Sequence, residues 1–466
     1  MKAHNPNYIG DNLAAGLGIP LGWIGPNYKT PVSVQMNIGI QRQITHGMIL
    51  SVDFLRNIET RSLLGIDINH VGDVKNFDSP AAQAAIATTL TACGVGSIDA
   101  AIAGCPGLHP ATATTPVGPA TMADFADNGL TSDADFGQAC NQALGVTCAF
   151  HGLNPNQGPA TVLQPIGRSV YNALQLKLVE NVSSPMRGIK ALNLQFAYSL
   201  SRFENSGGLQ ATGTAGDSDQ DFVLAAADNN VPNRYFGPAL LDRTHQISFG
   251  GYADAPAGFR LGLTMHMGSP QSSALVVQNS GLGDGEIFRT DFTGDGTIGD
   301  PMPGTHLGEF GRGINASNIN QTINRYNTTV AGQATPAGQV LISNGLMTLT
   351  QLQALNGVAQ PICPAPCAPG NQVGFSWLKA LDLRVAWRHT FHERFTIEPS
   401  VTAFNVLNFA NFNLPPSTMS GIMTGSPGAI NGTTPLDNEN FRVGNGTGVY
   451  AVGAARQVEW GLKFTF

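Results

Sequence analysis

The segment DGEIFRTDFTGDGTIGDP gathers Asp284, Glu286, Asp291, Asp295 and Asp300, with Thr293 and Thr297 between them. Side-chain oxygens at Asp291, Thr293 and Asp295, followed by Gly296, match the first half of a calcium loop. There, hard oxygen donors at alternate positions surround the ion and a glycine permits the tight turn. The twelfth position of such a loop carries a bidentate Glu, whereas here it is Met302. Asp300 is the substitute donor, so the candidate calcium ligands are Asp291, Thr293, Asp295 and Asp300. The competing reading is an acidic, glycine-rich turn.

Other reactive side chains point away from catalysis. The cysteines are Cys93, Cys105, Cys140, Cys148, Cys363 and Cys367. Their even number and local clustering among Gly and Pro point to disulfides and an oxidising compartment, with the pairing left open. No C-x-x-C pair supports zinc. His389, His392 and Glu393 fall at a turn rather than on a helix, so a solvated turn is expected there. Asp242, Arg243 and His245 stand where a strand begins, which points to a structural ion pair at a loop junction. Nucleophile elbows, phosphate loops and papain-like Cys/His pairs are absent. Nothing here supports an enzyme.

These residues belong to a chain of 466 residues with only 12% charged side chains, about half the usual share. Gly (56) and Pro (29) are abundant, which suits many turns and long loops. Net charge is −7 with no basic stripe, so nucleic acid is not an expected partner. No apolar run is long enough for a membrane-spanning helix. MKAHNPNYIGDN has no apolar core of the kind a signal peptide needs.

Strict period-two patterns recur instead. PVSVQMNIGIQRQI, KALNLQFAYSLS, GFRLGLTMHM, KALDLRVAW and QVEWGLKFTF each place apolar residues on one face and polar residues on the other. Less regular strands are expected near 48–57, 168–179, 244–254 and 395–407. Runs of about nine to twelve residues exceed ordinary globular strands and match tilted strands crossing a bilayer. One apolar and one charged face suit lipid outside and a wet lumen; a soluble β-sandwich, which also alternates, is the alternative.

Short turns are expected at Thr45–Gly47, Ser183–Arg187, Ala255–Gly258 and His389–Arg394. Long connections occupy about 67–167, 204–243, 269–377 and 408–447, with helical segments in 335–357 and parts of 79–104. Short turns on one side and long loops on the other are the asymmetry of outer-membrane barrels. The fold class is therefore all-β: an antiparallel transmembrane barrel, partial, of about nine or ten strands, with external loops carrying short helices. Residues 1–30 form an N-terminal loop segment and 31–466 the barrel portion. The first and last strands run the same way, so strands are expected to be missing and the chain reads as a C-terminal piece.

The segments NYKTPVSVQMNIGIQRQI, SVYNALQLKL, LLDRTHQISFGGY, VTAFNVLNFANFNLP and ARQVEWGLKFTF occur in an order that resembles the C-terminal barrel of Oar-like TonB-dependent outer-membrane transporters. The likeness runs from about Asn27 to Phe466. It implies the outer membrane of a Gram-negative-type bacterium and uptake or binding of a large solute. Glu459, Gly461, Phe464 and Phe466 resemble the family's outer-membrane assembly signal. The implied partners are outer-membrane lipid, the barrel-assembly machinery, a plug and an upstream barrel half. Plug, TonB-contacting segment and signal peptide have no counterpart in this sequence, so contact with TonB is expected only through the missing part. A truncated product, not competent alone, is expected; a passive porin-like or surface-binding barrel and a secreted soluble ligand-binding protein are the alternatives.

Overall fold

The computed structural model describes residues 23–132, 147–155, 158–206, 224–239, 242–272, 274–277, 285–315, 317–362, 377–391, 395–411, 418–419 and 454–466. Among these, nine strands have nine or more residues. They are β1 Val32–Thr45, β2 Met48–Asp67, β3 Thr161–Met186, β4 Ile189–Asn205 and β5 His245–Asp254, then β6 Phe259–Gly268, β7 Leu378–Trp387, β8 Phe395–Phe404 and β9 Gln457–Thr465. Each pairs antiparallel with the next in an up-and-down meander. The four expected short turns join β1–β2, β3–β4, β5–β6 and β7–β8. Gly47 shows why the first is a glycine: its φ is 87°, and a Cβ there would lie 2.3 Å from the Asn181 carbonyl oxygen.

Among the described residues, β1 pairs only with β2 and β9 only with β8, so the sheet has two free edges. Both edge strands run from the long-loop side to the short-turn side.

Two strands run further than alternation indicates. β2 reaches Asp67 rather than about 57, and β3 spans Thr161–Met186 rather than about 168–179. A bulge at Arg61 (φ 65°) shifts the register between Thr60 and Leu63. Beyond it, Leu64, Ile66, Val162 and Leu163 are all buried, with Ala226 packed on them. Covering both faces removes the polar partner residues that a period of two requires, so the extension looks irregular in sequence. Near the start of the described residues, Trp23–Ile24 pairs in parallel with Val162–Leu163.

The long connections build a packed external lobe. Its helices are α1 Ser79–Cys93, α2 Ile98–Ala103, α3 Met122–Ala126, α4 Ile319–Thr329, α5 Pro336–Ser343 and α6 Leu349–Ala354. α1 begins behind Asp78, whose carboxylate accepts from Ala81 N–H, and ends at Gly94 in the left-handed region. α5 begins after Thr335 with Pro336 in its first turn. α3 and α4 were not expected: the first is a single capped turn, and the second is rich in Asn and Thr. Met122, Phe125, Phe150, Phe288, Leu341 and Leu352 form one core, and Phe310, Ile319, Ile323 and Tyr326 belong to a second.

Candidate functional site

Residues directly opposite in an antiparallel pair share a face, so the register assigns both faces of the wall. One row across β1–β6 reads Ile40, Val52, Leu176, Tyr198, Ile247 and Met267. The row towards the short turns reads Arg42, Leu50, Leu178, Phe196, Phe249 and Met265. On β8 and β9 the same face carries Ile397 with Phe464, Pro399 with Leu462 and Val401 with Trp460. Many of these side chains are exposed: Ile38 is 72% and Trp460 79% accessible. An extended apolar face left open to the surroundings is the signature of a surface made for another apolar phase.

The opposite face is polar and internally compensated. It carries Gln35, Asn57, Asp53, Lys177, Gln175, Ser199, His266 and Asp382. Arg260 pairs with Asp254 at 2.6 Å and lies 4.3 Å over the Tyr252 ring. Arg384 pairs with Glu398 at 3.3 Å, and Lys463 is the register partner of Glu398.

Aromatic groups bound the apolar band. At the long-loop end Tyr198, His245 and Trp377 stack at 6.1 and 5.8 Å, and the Tyr198 hydroxyl meets His245 Nδ1 at 2.9 Å. At the short-turn end Trp387 stacks on His389 at 5.3 Å and donates its indole N–H to the Ala257 carbonyl. Trp377 and Trp387 share the apolar face, ten residues apart on β7 and its lead-in. At ~3.4 Å per residue and a tilt of ~40°, that separation is about 25 Å of height, the thickness of the apolar band of an outer-membrane barrel.

A family model described as outer membrane beta barrel domain matches residues 3–443. The chain belongs to that family. Its apolar face is the lipid face and its polar face the lumen, which places this outer membrane barrel wall in the outer membrane. Among solved structures, the outer membrane transporter YddB from Escherichia coli is similar at a TM-score of 0.37 and 9% identity. That match covers 95% of this chain and 33% of the transporter, so the chain spans about a third of its length. No curated protein matches.

At the closing strand of the barrel wall, Glu459 and Gly461 lie on the lumen face opposite Thr402 and Ser400. Phe464 lies on the lipid face opposite Ile397, and Phe466, next but one, is 96% exposed. The Gly461 position is tight, since a Cβ there would come within 2.8 Å of Ser400 Oγ.

In the lobe, Cys93 and Cys105 are disulfide-bonded, joining the end of α1 to the segment after α2. Cys148 is also disulfide-bonded. Cys140, Cys363 and Cys367 lie outside the described residues, as do Asp284, His392 and Glu393. Asp242 is buried and ion-paired, and its Oδ1 accepts from Phe203 N–H at 2.8 Å. The partner is Arg312 from a distant segment rather than the adjacent Arg243, whose guanidinium donates to the Ser269 carbonyl. Adjacent side chains in an extended segment point to opposite faces, so sequence neighbours seldom pair.

The acidic turn is fully buried at Asp291, Asp295 and Asp300. Asp291 Oδ1 accepts from Gly294 N–H at 2.6 Å and Oδ2 from Gly296 N–H at 3.0 Å. Asp300 Oδ2 accepts from the N–H groups of Phe292 and Thr293 at 2.8 and 2.9 Å. Asp295 accepts from the Thr293 and Thr297 hydroxyls and from Asn229 N–H, and bridges to Asp73. Gly296 has φ 82°, and a Cβ there would meet the Val71 carbonyl at 1.9 Å, so only glycine lets this turn seat against 71–73. The four candidate ligands therefore share one turn, but N–H donors occupy much of the lone-pair space a cation would use. Among the described residues no three His, Cys, Asp or Glu side chains converge as metal ligands.

Burial, and then the neighbouring Asp295 charge, push the Asp291 carboxyl up to about 8, and burial raises Asp300 well above 3.8. A carboxyl whose pKa is raised by folding keeps a proton that the unfolded chain releases, so stability falls as pH climbs from about 4 to about 8. The lobe should therefore melt at lower temperature at pH 8 than at pH 5, measured by thermal unfolding in detergent without divalent cations. An unchanged or rising melting temperature over that span would overturn this assignment. Adding calcium at pH 8 separates the two readings: a higher melting temperature assigns the turn to calcium, and no change assigns it to protons and N–H donors.

Proposed function

We propose that the chain supplies the C-terminal part of the barrel of a TonB-dependent, Oar-like transporter, and that its external lobe binds a large solute rather than catalysing a reaction. The observation carrying this reading is the open nine-strand wall. In hydrocarbon each unsatisfied N–H or C=O costs several kcal/mol, so a free sheet edge does not persist there. β1 and β9 run in the same direction, so joining them directly would make a parallel seam in an otherwise antiparallel wall. Further strands between them restore antiparallel pairing. In this reading those strands come from an upstream barrel half that also carries the plug, and TonB acts through that plug.

Paired cysteines on the edge strands test the proposal. Gln41→Cys on β1 with Lys463→Cys on β9 should give no intramolecular crosslink in outer membranes, while each should crosslink to an upstream barrel segment. An efficient intramolecular β1–β9 crosslink would rule out the larger barrel.

A further inference from the structure

The lipid face is apolar in its middle rows but not at its outer end. One step outward from Ile38, Phe54, Leu174 and Leu200, the register row reads Met36, Arg56, Asn172 and Arg202. Arg56, Asn172 and Arg202 thus stand side by side on β2, β3 and β4. The Cα atoms of the two arginines are about 10 Å apart, two strand spacings, within reach of a single anion for side chains of that length. Both arginines are exposed, and Arg56 donates to Asn172 Oδ1 at 3.3 Å. Arg202 donates one Nη to Glu204 at 2.6 Å. Four residues further up β3, on the same face, Arg168 lies 4.2 Å over the Phe236 ring.

Charge balance separates Arg56 and Arg168 from the paired arginines of the wall: on the lumen face Arg260 has Asp254 and Arg384 has Glu398, and within the row itself Arg202 has Glu204. Among the described residues no carboxylate lies within ion-pair distance of Arg56 or Arg168. An uncompensated guanidinium next to Phe54 and Leu174 is costly unless an anion meets it at the same depth. The long-loop end of the apolar band is where the headgroups of the outer leaflet lie. Phosphate is the anion that the planar guanidinium fork fits, through paired N–H donors.

We propose that Arg56, Asn172 and Arg202, with Arg168 above them, form a docking site for a phosphate-bearing headgroup of the outer-leaflet lipid. The site rests on the membrane-wall reading and adds to it a specific lipid chemistry. It fixes the depth of β2–β4 in the bilayer and tethers a lipid beneath the external lobe.

The test is native mass spectrometry of the full chain, extracted from outer membranes in mild detergent and offered lipid A with its phosphates or the dephosphorylated form. The phosphorylated form should be retained about tenfold better, and Arg56→Gln/Arg202→Gln should remove that preference. The lumen pair Arg260→Gln/Arg384→Gln should keep it. Inorganic phosphate at the lipid's concentration should not displace the bound lipid. Equal retention of the two lipids, undiminished retention by the Arg56→Gln/Arg202→Gln protein, or displacement by inorganic phosphate would overturn the proposal. Arg56→Lys/Arg202→Lys keeps both charges where the glutamine pair assembles poorly. Its retention should still fall, since lysine lacks the fork, and undiminished retention would count against the site. Recovery of the wild-type chain from the soluble fraction without detergent would instead sink the membrane reading itself.

Discussion

Leu176→Arg should cost the barrel wall about 1–3 kcal/mol, the penalty for a basic side chain on a membrane barrel's lipid face between the midplane and the interface. Leu176 stands between Val52 and Tyr198 in a row that continues through Ile247 and Met267. No carboxylate occupies that row, which ends on Lys379 opposite Met267; His245 lies in the next row outward and Arg42 in the next row towards the short turns. The arginine would have to stretch along the wall towards one interface, displacing Leu174 or Leu178. Its sequence neighbour provides the control. Gln175 points into the lumen between Asp53 and Ser199, so Gln175→Arg meets a carboxylate and water and should change stability by less than about 1 kcal/mol. Urea unfolding of the two variants in lipid vesicles measures the difference. Equal stabilities would mean that the two faces are not lipid and lumen.

Phe288→Ala should destabilise the external lobe by about 3–5 kcal/mol while leaving the wall in place. Phe288 is fully buried and meets the Phe150 ring edge-on at 5.6 Å; Phe150 in turn packs on Phe77 at 5.1 Å. These three rings join segments that are more than two hundred residues apart in sequence. Truncating Phe288 opens a cavity beside Phe150 that the short helices α3, α5 and α6 have little means of closing. Limited proteolysis of intact cells should then cut within 68–132 and 285–362, with outer-membrane abundance unchanged. Wild-type resistance in the variant would show that the lobe is not one cooperative unit around this core. Loss of solute binding together with protease resistance would instead place Phe288 at the binding surface.

The wall was legible in the sequence because lipid imposes a rule on every second residue. Val32, Val34, Met36, Ile38 and Ile40 oppose Ser33, Gln35, Asn37 and Gly39 by parity alone, and the register places the two sets on opposite faces. The four hairpin turns and the matching directions of β1 and β9 follow from that alternation and from loop lengths. The upper ends of β2 and β3 were not legible, since the lobe buries both faces of Leu64, Ile66 and their partners and removes the period. The helices α1, α2, α5 and α6 carried Pro and Gly signals, whereas α3 and α4 rest on tertiary packing of Phe125, Ile319, Ile323 and Tyr326.

The candidate sites divide in the same way. Local spacing brought Asp291, Thr293, Asp295 and Asp300 into one turn and Glu459, Gly461, Phe464 and Phe466 onto one strand. Spacing could not say that backbone N–H groups fill the acidic turn, nor that Asp242 reaches across to Arg312 rather than to Arg243. It also could not show that Arg56, Asn172 and Arg202, far apart in the chain, form one row on the lipid face. Alternation and turn chemistry act between near neighbours, so the sequence alone determined a membrane wall, its strand order and its two faces. Register across strands and packing between distant loops are long-range terms, and only the tertiary structure decided which polar groups meet, which are buried, and which cations share a row on the lipid face.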